Sequence, residues 1–415
     1  MRKIRALINI PGLKLSAIKL SECVRRIKES PTLAITAKAA RYKSEGKDII
    51  GLAAGEPDFD TPQHIKDAAK KAIDNGFTKY TPVSGIPSLK KAIIEKFKRD
   101  NNLEYGPNEV IVGVGGKQCV FNFCLAVLNS GDEVIIPAPY WVSYADIALV
   151  SDAKPIIVEC GIEQKFKMTA SQLEKVITPK TKLVILNSPS NPTGAVYSKE
   201  ELTSLADVLI KHPNILIGTD DMYEHVKLKD MPFYNILNVN PALKDRCVVM
   251  NGVSKAYSMT GWRIGYAAGP SYIIKAMEIL QSQSTSNPTS ISQVAAEAAL
   301  SGDQACMDPM IKAFRERHAF VVKSFNEIPG LSCIEAEGAF YAFPDARKAI
   351  EHLFNQKVLK EKTDLALADY LLEKEGVAVV PGSAFGSDGY FRISFATSME
   401  NLIEAMKRIK RALSV

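Results

Sequence analysis

The chain has 415 residues, 46% of them hydrophobic, with 52 Lys and Arg against 46 Asp and Glu for a formal charge of +6; that is enough apolar content for two or three domains of ordinary size. Beyond the N-terminus the basic residues are dispersed, which argues against a nucleic-acid groove, and no apolar run approaches the roughly 20 residues of a membrane span. Seven cysteines without a C-x-x-C pair point to free thiols and a cytoplasmic protein, and His64, His212, His225, His318 and His352 lack metal-ligand spacing, so no metal site is expected.

Residues 1–20 read as an N-terminal extension, expected to be disordered. Its short apolar part, Ala6-Leu7-Ile8-Asn9-Ile10, lacks the cleavage pattern of a signal peptide, and an organelle presequence is the minority reading. Ser21 to Lys47 reads as an arm and a helix. From Asp48 to Pro62 a short strand leads into a tight turn, where Gly55 permits close backbone approach and Asp58 and Asp60 are expected to bond the turn and cap the next helix. Ser88 to Asn101 predicts an amphipathic helix, with Leu89, Ile93 and Phe97 on one stripe and lysines on the other.

Strand-like and helix-like segments then alternate. Val110–Val114, Glu133–Pro137, Pro155–Glu159, Leu183–Leu186, Ile215–Gly218, Cys247–Met250 and Ile264–Ala268 predict strands, and the alternation predicts a parallel sheet covered by helices. From about residue 300 helices with a few short strands predict a second, smaller domain. Tyr390–Ala396 alternates as a strand, and Thr397-Ser398-Met399-Glu400 predicts a capping box before a helix with Leu402, Met406, Ile409 and Leu413 on one face.

Ligands of open α/β sheets bind at the carboxyl ends of strands, and four polar signals fall there: Gly115-Gly116-Lys117, the segment Asn187–Gly194, Asp220 and Lys255. The glycine loop follows a strand and opens a helix, so its amides suit a phosphate. It is neither a dinucleotide fingerprint nor a Walker loop, because Gln118 stands at the last glycine position and no Ser or Thr follows the lysine. Lys255, in an apolar segment that also carries Arg263, can become a Schiff-base former through a lowered pKa or can be an ordinary solvated lysine. Arg392, among apolar neighbours, suits either a bidentate carboxylate contact or a structural ion pair.

Taken together, Ala54-Gly55-Glu56-Pro57-Asp58-Phe59, Pro139-Tyr140-Trp141-Val142-Ser143-Tyr144, Ser188-Pro189-Ser190-Asn191-Pro192-Thr193-Gly194, Asp220-Asp221-Met222-Tyr223-Glu224-His225 and the Lys255 segment resemble, in order, the class I aminotransferases of the pyridoxal-phosphate-dependent fold type I. The bacterial aspartate aminotransferases of subgroup Ib, which include aspartate/prephenate enzymes, are the most similar group. The resemblance implies an α/β fold with a mostly parallel central sheet in a large domain, 63–309, and a smaller α/β domain built from 21–62 and 310–415.

It also implies pyridoxal 5'-phosphate as cofactor. Lys255 would hold the cofactor aldehyde and then move the substrate α-proton, and Asp220 would keep the pyridine nitrogen protonated. Tyr223 and Asn191 would bond the phenolic oxygen and Trp141 would stack on the ring. The phosphate falls to Gly115, Gly116, Lys117 and Arg263, with Tyr80 reaching in from the partner subunit of a homodimer. Ser254 adjoins the lysine, whereas animal-type relatives carry a serine where Gly252 stands.

Arg392 would clamp the substrate α-carboxylate, with Gly55, Trp141 and Asn191 nearby. No arginine lies between Ser271 and Met310, where animal-type relatives hold the distal carboxylate. Lys117 is expected to do so, with Lys28 linked to prephenate. The reaction implied is ping-pong exchange between dicarboxylic amino acids and 2-oxo acids, aspartate and 2-oxoglutarate giving oxaloacetate and glutamate. An aromatic or other class I aminotransferase is the enzymatic alternative. A transcription regulator of the same fold is disfavoured, because about thirty residues before the match cannot form a winged helix.

Overall fold

The computed structural model describes residues 19–27 and 31–414. Lys28 and nearly all of the extension 1–20 lie outside the described residues, so the expectations placed on them have no structural counterpart. Among the described residues there are twelve strands: β1 (Ile50–Gly51), β2 (Val110–Gly113), β3 (Glu133–Ala138), β4 (Lys154–Glu159), β5 (Thr181–Asn187), β6 (Leu216–Asp220), β7 (Cys247–Gly252), β8 (Gly265–Ala268), β9 (Tyr341–Ala342), β10 (Val377–Ala378), β11 (Val380–Pro381) and β12 (Phe391–Ser394).

Seven of them form one sheet in the order β2-β8-β7-β6-β5-β3-β4. Except in the edge strand β4, where Ile157 is exposed, the apolar runs that mark these strands in the sequence are buried on both faces, and their period of two sends neighbours into different cores. Ile135 and Val249 pack with Phe97, Leu205 and Tyr266 on one side, while Val134, Ile136 and Val248 pack with Phe123, Ile147 and Ile273 on the other. From β7 to β4 all pairings are parallel. β8 runs antiparallel to both β7 and β2, a detail the sequence pattern does not carry. Its connection from β7 contains only the short 3-10 turn Thr260–Trp262, and a parallel return would need a crossover element.

A second core gathers β9 and β12 with the helices Asp308–Asn326 and Met399–Leu413, through Phe314, Phe325, Phe340, Phe391 and Ile409. Tyr223 and Val226, from the turn after β6, pack into this core and tie it to the large sheet. β1 pairs in parallel with β10, Ile50 opposite Val377, so the segment before the turn at Gly55 is bonded to the C-terminal part of the chain.

Three local expectations are corrected. Lys96 is fully buried on the inner face of helix Pro87–Asn101, where it pairs with the Glu224 carboxylate instead of lying on the solvent stripe. Asp58 bonds Arg317 Nη1 at 2.8 Å, and the helix it was expected to cap starts after Pro62 with no side-chain cap; Asp60 is exposed. The last helix is capped by Ser398, which accepts from Asn401 N at 3.2 Å, one position later than the T-x-x-E pattern implies.

Candidate active site

The strand ends of the sheet deliver the polar residues. β5 ends on Asn187, β6 on Asp220 and β7 on Gly252, while the glycine loop after β2 opens helix Gly116–Val127. They surround a cavity of about 270 Å³ whose lining includes Gly55, Gly116, Lys117, Trp141, Asn191, Asp220, Tyr223, Ser254, Lys255, Arg263 and Arg392. Gly115 sits just behind it at φ +82°, and a Cβ there would collide with the Arg263 guanidinium, so the glycine is what lets the arginine lie along the loop. Arg263 itself donates to Thr260 O at 2.8 Å.

Lys255 Nζ donates to Gly55 O at 2.7 Å and lies 5.9 Å from the Tyr223 ring centroid. Burial is the main force pulling its pKa down to about 8, followed by the Arg392 cation; Glu56 opposes, and Arg263 adds less than Arg392. The guanidinium that matters more is therefore brought from β12, not from the lysine's own segment.

Arg392 is 2% exposed and has no carboxylate partner among the described residues. Its Nη1 donates to Asn191 Oδ1 at 2.9 Å and its Nη2 to Ala53 O at 2.6 Å, while Nε is buried without any partner. The guanidinium rests between Tyr341, 4.5 Å to the ring centroid, and Phe385 at 5.0 Å. Burial lowers its pKa, and the alternative of a structural ion pair is absent. A buried, uncompensated guanidinium with a free N–H edge is costly unless an anion completes it.

Asp220 accepts from Tyr144 Oη at 2.6 Å and from Met222 N at 3.3 Å. Burial raises its pKa, and the Tyr144 bond and the Lys255 charge work against that rise. Trp141 sits edge-on to Tyr144 with centroids 5.2 Å apart, and Lys117 Nζ lies 5.1 Å from the Trp141 ring. Lys117 is lowered by burial and by Arg263. Asn191 N donates to Asn187 Oδ1 at 2.9 Å, and Asn187 Nδ2 donates to Asp220 O at 2.8 Å, which fixes the loop that carries Asn191 against β6.

Tyr80 does not reach this cavity; it is 92% exposed. Ser254 is buried at the lining. At position 252 a Cβ would sit 3.1 Å from Gly265 Cα and from Ile264 O, so the pairing of β7 with β8 leaves little room for the serine of animal-type relatives. Tyr144 and Tyr341, which the sequence did not mark, also line the cavity, as does Asn187, which opens the polar segment Asn187–Gly194 but had no part of its own. Tyr144 stood inside a quoted motif without a role, and Tyr341 gave no signal beyond a short apolar strand.

These donors fit pyridoxal 5'-phosphate. An uncapped helix N-terminus with Arg263 alongside suits a phosphate dianion, a lysine of lowered pKa suits an aldehyde, and a carboxylate at a strand end suits a pyridine nitrogen. An open α/β sheet with a lysine, an aspartate and a buried free arginine around one crevice defines an aminotransferase-like centre. Residues 47–409 match the family model described as "Aminotransferase class I and II", and the chain belongs to that family.

The chain is 64% identical over 397 residues to an aspartate/prephenate aminotransferase of Nitrosomonas europaea, covering 96% of this chain and 100% of that protein. It is 54% identical over 391 residues to one of Cereibacter sphaeroides, covering 94% and 98%. Among solved structures, an aspartate aminotransferase of Rhizobium meliloti superposes with a TM-score of 0.90 at 48% identity, covering 96% of this chain and 99% of that one. That of Thermus thermophilus with maleate gives 0.89 at 41%, covering 95% and 100%.

Proposed function

We propose that the chain is a pyridoxal-phosphate-dependent aspartate aminotransferase that also accepts prephenate, passing the amino group of aspartate to 2-oxoglutarate by a ping-pong cycle. The observation that carries this is Arg392, buried without a counter-ion and with an unpartnered Nε, in the same cavity as a lysine whose pKa is lowered to about 8. A ligand carboxylate completes the first, and a substrate α-proton needs the second. The names of the Nitrosomonas and Cereibacter relatives support aspartate as the donor and prephenate as a further acceptor.

When bound, pyridoxal phosphate supplies an aldehyde for amine capture and a ring that withdraws the electron pair left when the α-proton departs. The amides of Gly115, Gly116 and Lys117 and the Arg263 side chain would hold the phosphate, with Ser254 beside them. Asp220, oriented by Tyr144, keeps a proton on the ring nitrogen. Trp141 covers the ring face, and Tyr223 and Asn191 donate toward its phenolic oxygen. Lys255 Nζ would anchor the cofactor aldehyde and would take and return the substrate α-proton, and a pKa lowered to about 8 suits it to that work. Arg392 clamps the α-carboxylate beside Gly55, Trp141 and Asn191, and Lys117 meets the distal carboxylate as a movable point charge that tolerates more than one acid. Lys28 is assigned to prephenate by resemblance alone.

The same reading takes 63–309 as a large domain and 21–62 with 310–415 as a small one. It takes the assembly as a homodimer, supported by the exposed Tyr80, Tyr272 and Ile279, and the location as cytoplasm, supported by seven unpaired cysteines. No described helix is long and apolar enough to cross a membrane. The test is a stopped-flow half-reaction of the cofactor-loaded protein with aspartate, glutamate, phenylalanine and arogenate. Rapid loss of the bound cofactor's visible band is expected with aspartate, glutamate and arogenate, and none in Lys255→Ala. Conversion by phenylalanine alone would move the protein to the aromatic group.

A further inference from the structure

Tyr341 lines the cavity and has no assigned part. It is fully buried on β9, a strand of the C-terminal core, yet its hydroxyl lies 2.7 Å from the hydroxyl of Tyr223, which belongs to the turn after β6. Its ring face carries the Arg392 guanidinium at 4.5 Å. A Cβ at position 55 would come within 3.0 Å of the Tyr341 oxygen, so the glycine whose carbonyl holds Lys255 is also what leaves the phenol room. One side chain thus touches the lysine's acceptor residue, the carboxylate clamp and the phenol nearest to both.

Two hydroxyls share one contact, and each has a single proton to give. We propose that Tyr341 is a positioning residue that donates its hydrogen bond to Tyr223 Oη, leaving the Tyr223 proton free to point into the cavity at the phenolic oxygen of the cofactor. If the bond ran the other way, Tyr223 would spend its only proton on Tyr341 and present a lone pair to an oxygen that carries negative charge.

The surroundings favour the first direction. The charged groups facing the pair are Arg392, Asp220 and Lys255. Burial raises both phenols and Arg392 opposes the rise in both, but Arg392 lies directly against the Tyr341 ring, whereas Tyr223 is held well above the ordinary phenol range by burial, by Tyr341 and by the Asp220 carboxylate. The more acidic phenol is the better donor. A phenol that accepts one hydrogen bond also donates a stronger one, because the chain polarises. The proposal rests on the reading that Tyr223 faces the cofactor, and it deepens that reading by naming what sets the direction of its hydroxyl.

The experiment follows the pH midpoint of the visible absorbance of the resting, cofactor-loaded enzyme, together with the affinity of the cofactor-free protein for pyridoxal phosphate. Tyr223→Phe, Tyr341→Phe and the double variant are compared with the parent. Loss of a hydrogen bond to the phenolic oxygen lets the bound cofactor take up a proton more readily, so Tyr223→Phe raises the midpoint. Tyr341→Phe keeps the ring under Arg392 and removes only the donor; it raises the midpoint by roughly half a unit and weakens cofactor binding about threefold.

In the double variant Tyr341→Phe adds no further shift, because its effect passes through Tyr223. Succinate binding is unchanged in Tyr341→Phe and weaker in Tyr341→Leu, which also removes the aromatic face beneath Arg392. If Tyr223→Phe moves the midpoint and Tyr341→Phe does not, or if Tyr341→Phe shifts it equally with Phe at 223, the donor chain is refuted. If Tyr223→Phe itself leaves the midpoint in place, the reading of Tyr223 falls and the donor chain with it.

Discussion

Lys255 and Arg392 illustrate how a site stores unfavourable charge until a ligand arrives. Burial disfavours the charged form of each, and the Arg392 cation further depresses Lys255. For Lys255 this gives a stability prediction in the cofactor-free protein. The folded-state pKa of about 8 lies below the ordinary 10.5, so below pH 8 the lysine is charged in both states and the fold bears its full burial cost. Between pH 8 and 10.5 the unfolded chain holds the extra proton, and stability rises with pH; above 10.5 the cost is gone.

Lys255→Met keeps the volume and removes the charge. The variant is expected to be more stable than the parent by about 1–2 kcal/mol at pH 7, after allowance for the lysine's partial exposure to the cavity, with the difference vanishing by about pH 10.5. Urea unfolding across that range checks it, and a gap that widens with pH would contradict the charge argument. The lysine was legible from its motif, but its electrostatics were not. The sequence offered Arg263 as the neighbouring cation, and the stronger one is Arg392, brought over by the packing of two cores around Tyr223 and Tyr341.

At the scale of elements, the strands of the large sheet were legible because burial on both faces forces unbroken β-branched runs such as Val248-Val249. What stayed hidden was direction and contact: the antiparallel β8, the inward Lys96, and the reason for glycine at 265. β8 pairs Gly265 with Gly113 of β2 and with Gly252 of β7, at the base of the phosphate-side loop. A Cβ on Gly265 would collide with the backbone of Gly115 and Gly116, which no side-chain rotation can relieve, whereas a Cβ on Gly261, in the same connection, meets nothing.

Gly265→Ala is accordingly expected to cost about 3 kcal/mol and to lower Tm by roughly 3–6 °C, while Gly261→Ala stays within about 0.5 kcal/mol of the parent. Because the displaced atoms belong to the loop that opens helix Gly116–Val127, cofactor retention on gel filtration should fall in the first variant only. A parent-like melting curve for Gly265→Ala would mean that β8 can slide without disturbing the loop.

At the scale of the whole molecule, the proposed dimer is what would give Tyr80 a place in the site. Tyr80 is 92% exposed, an unusual cost for a tyrosine unless something covers it, and Tyr272 and Ile279 are exposed as well. In a symmetric dimer with shared sites, each cavity would draw Lys255 from one chain and Tyr80 from the other, so two inactive chains can complement each other. Lys255→Ala lacks the lysine in both of its cavities, and Tyr80→Ala lacks the crossing phenol in both. A mixed dimer has one cavity with neither change and one with both. Unfolding and refolding the two variants together at equal concentration yields about half mixed dimers by random pairing, and hence about a quarter of the parental aspartate activity. Mixing them without unfolding gives only the residual activity of each. Activity after co-refolding no greater than the average of the two variants refolded separately would show that Tyr80 serves its own chain's cavity or none, and the covered face would then need a different partner.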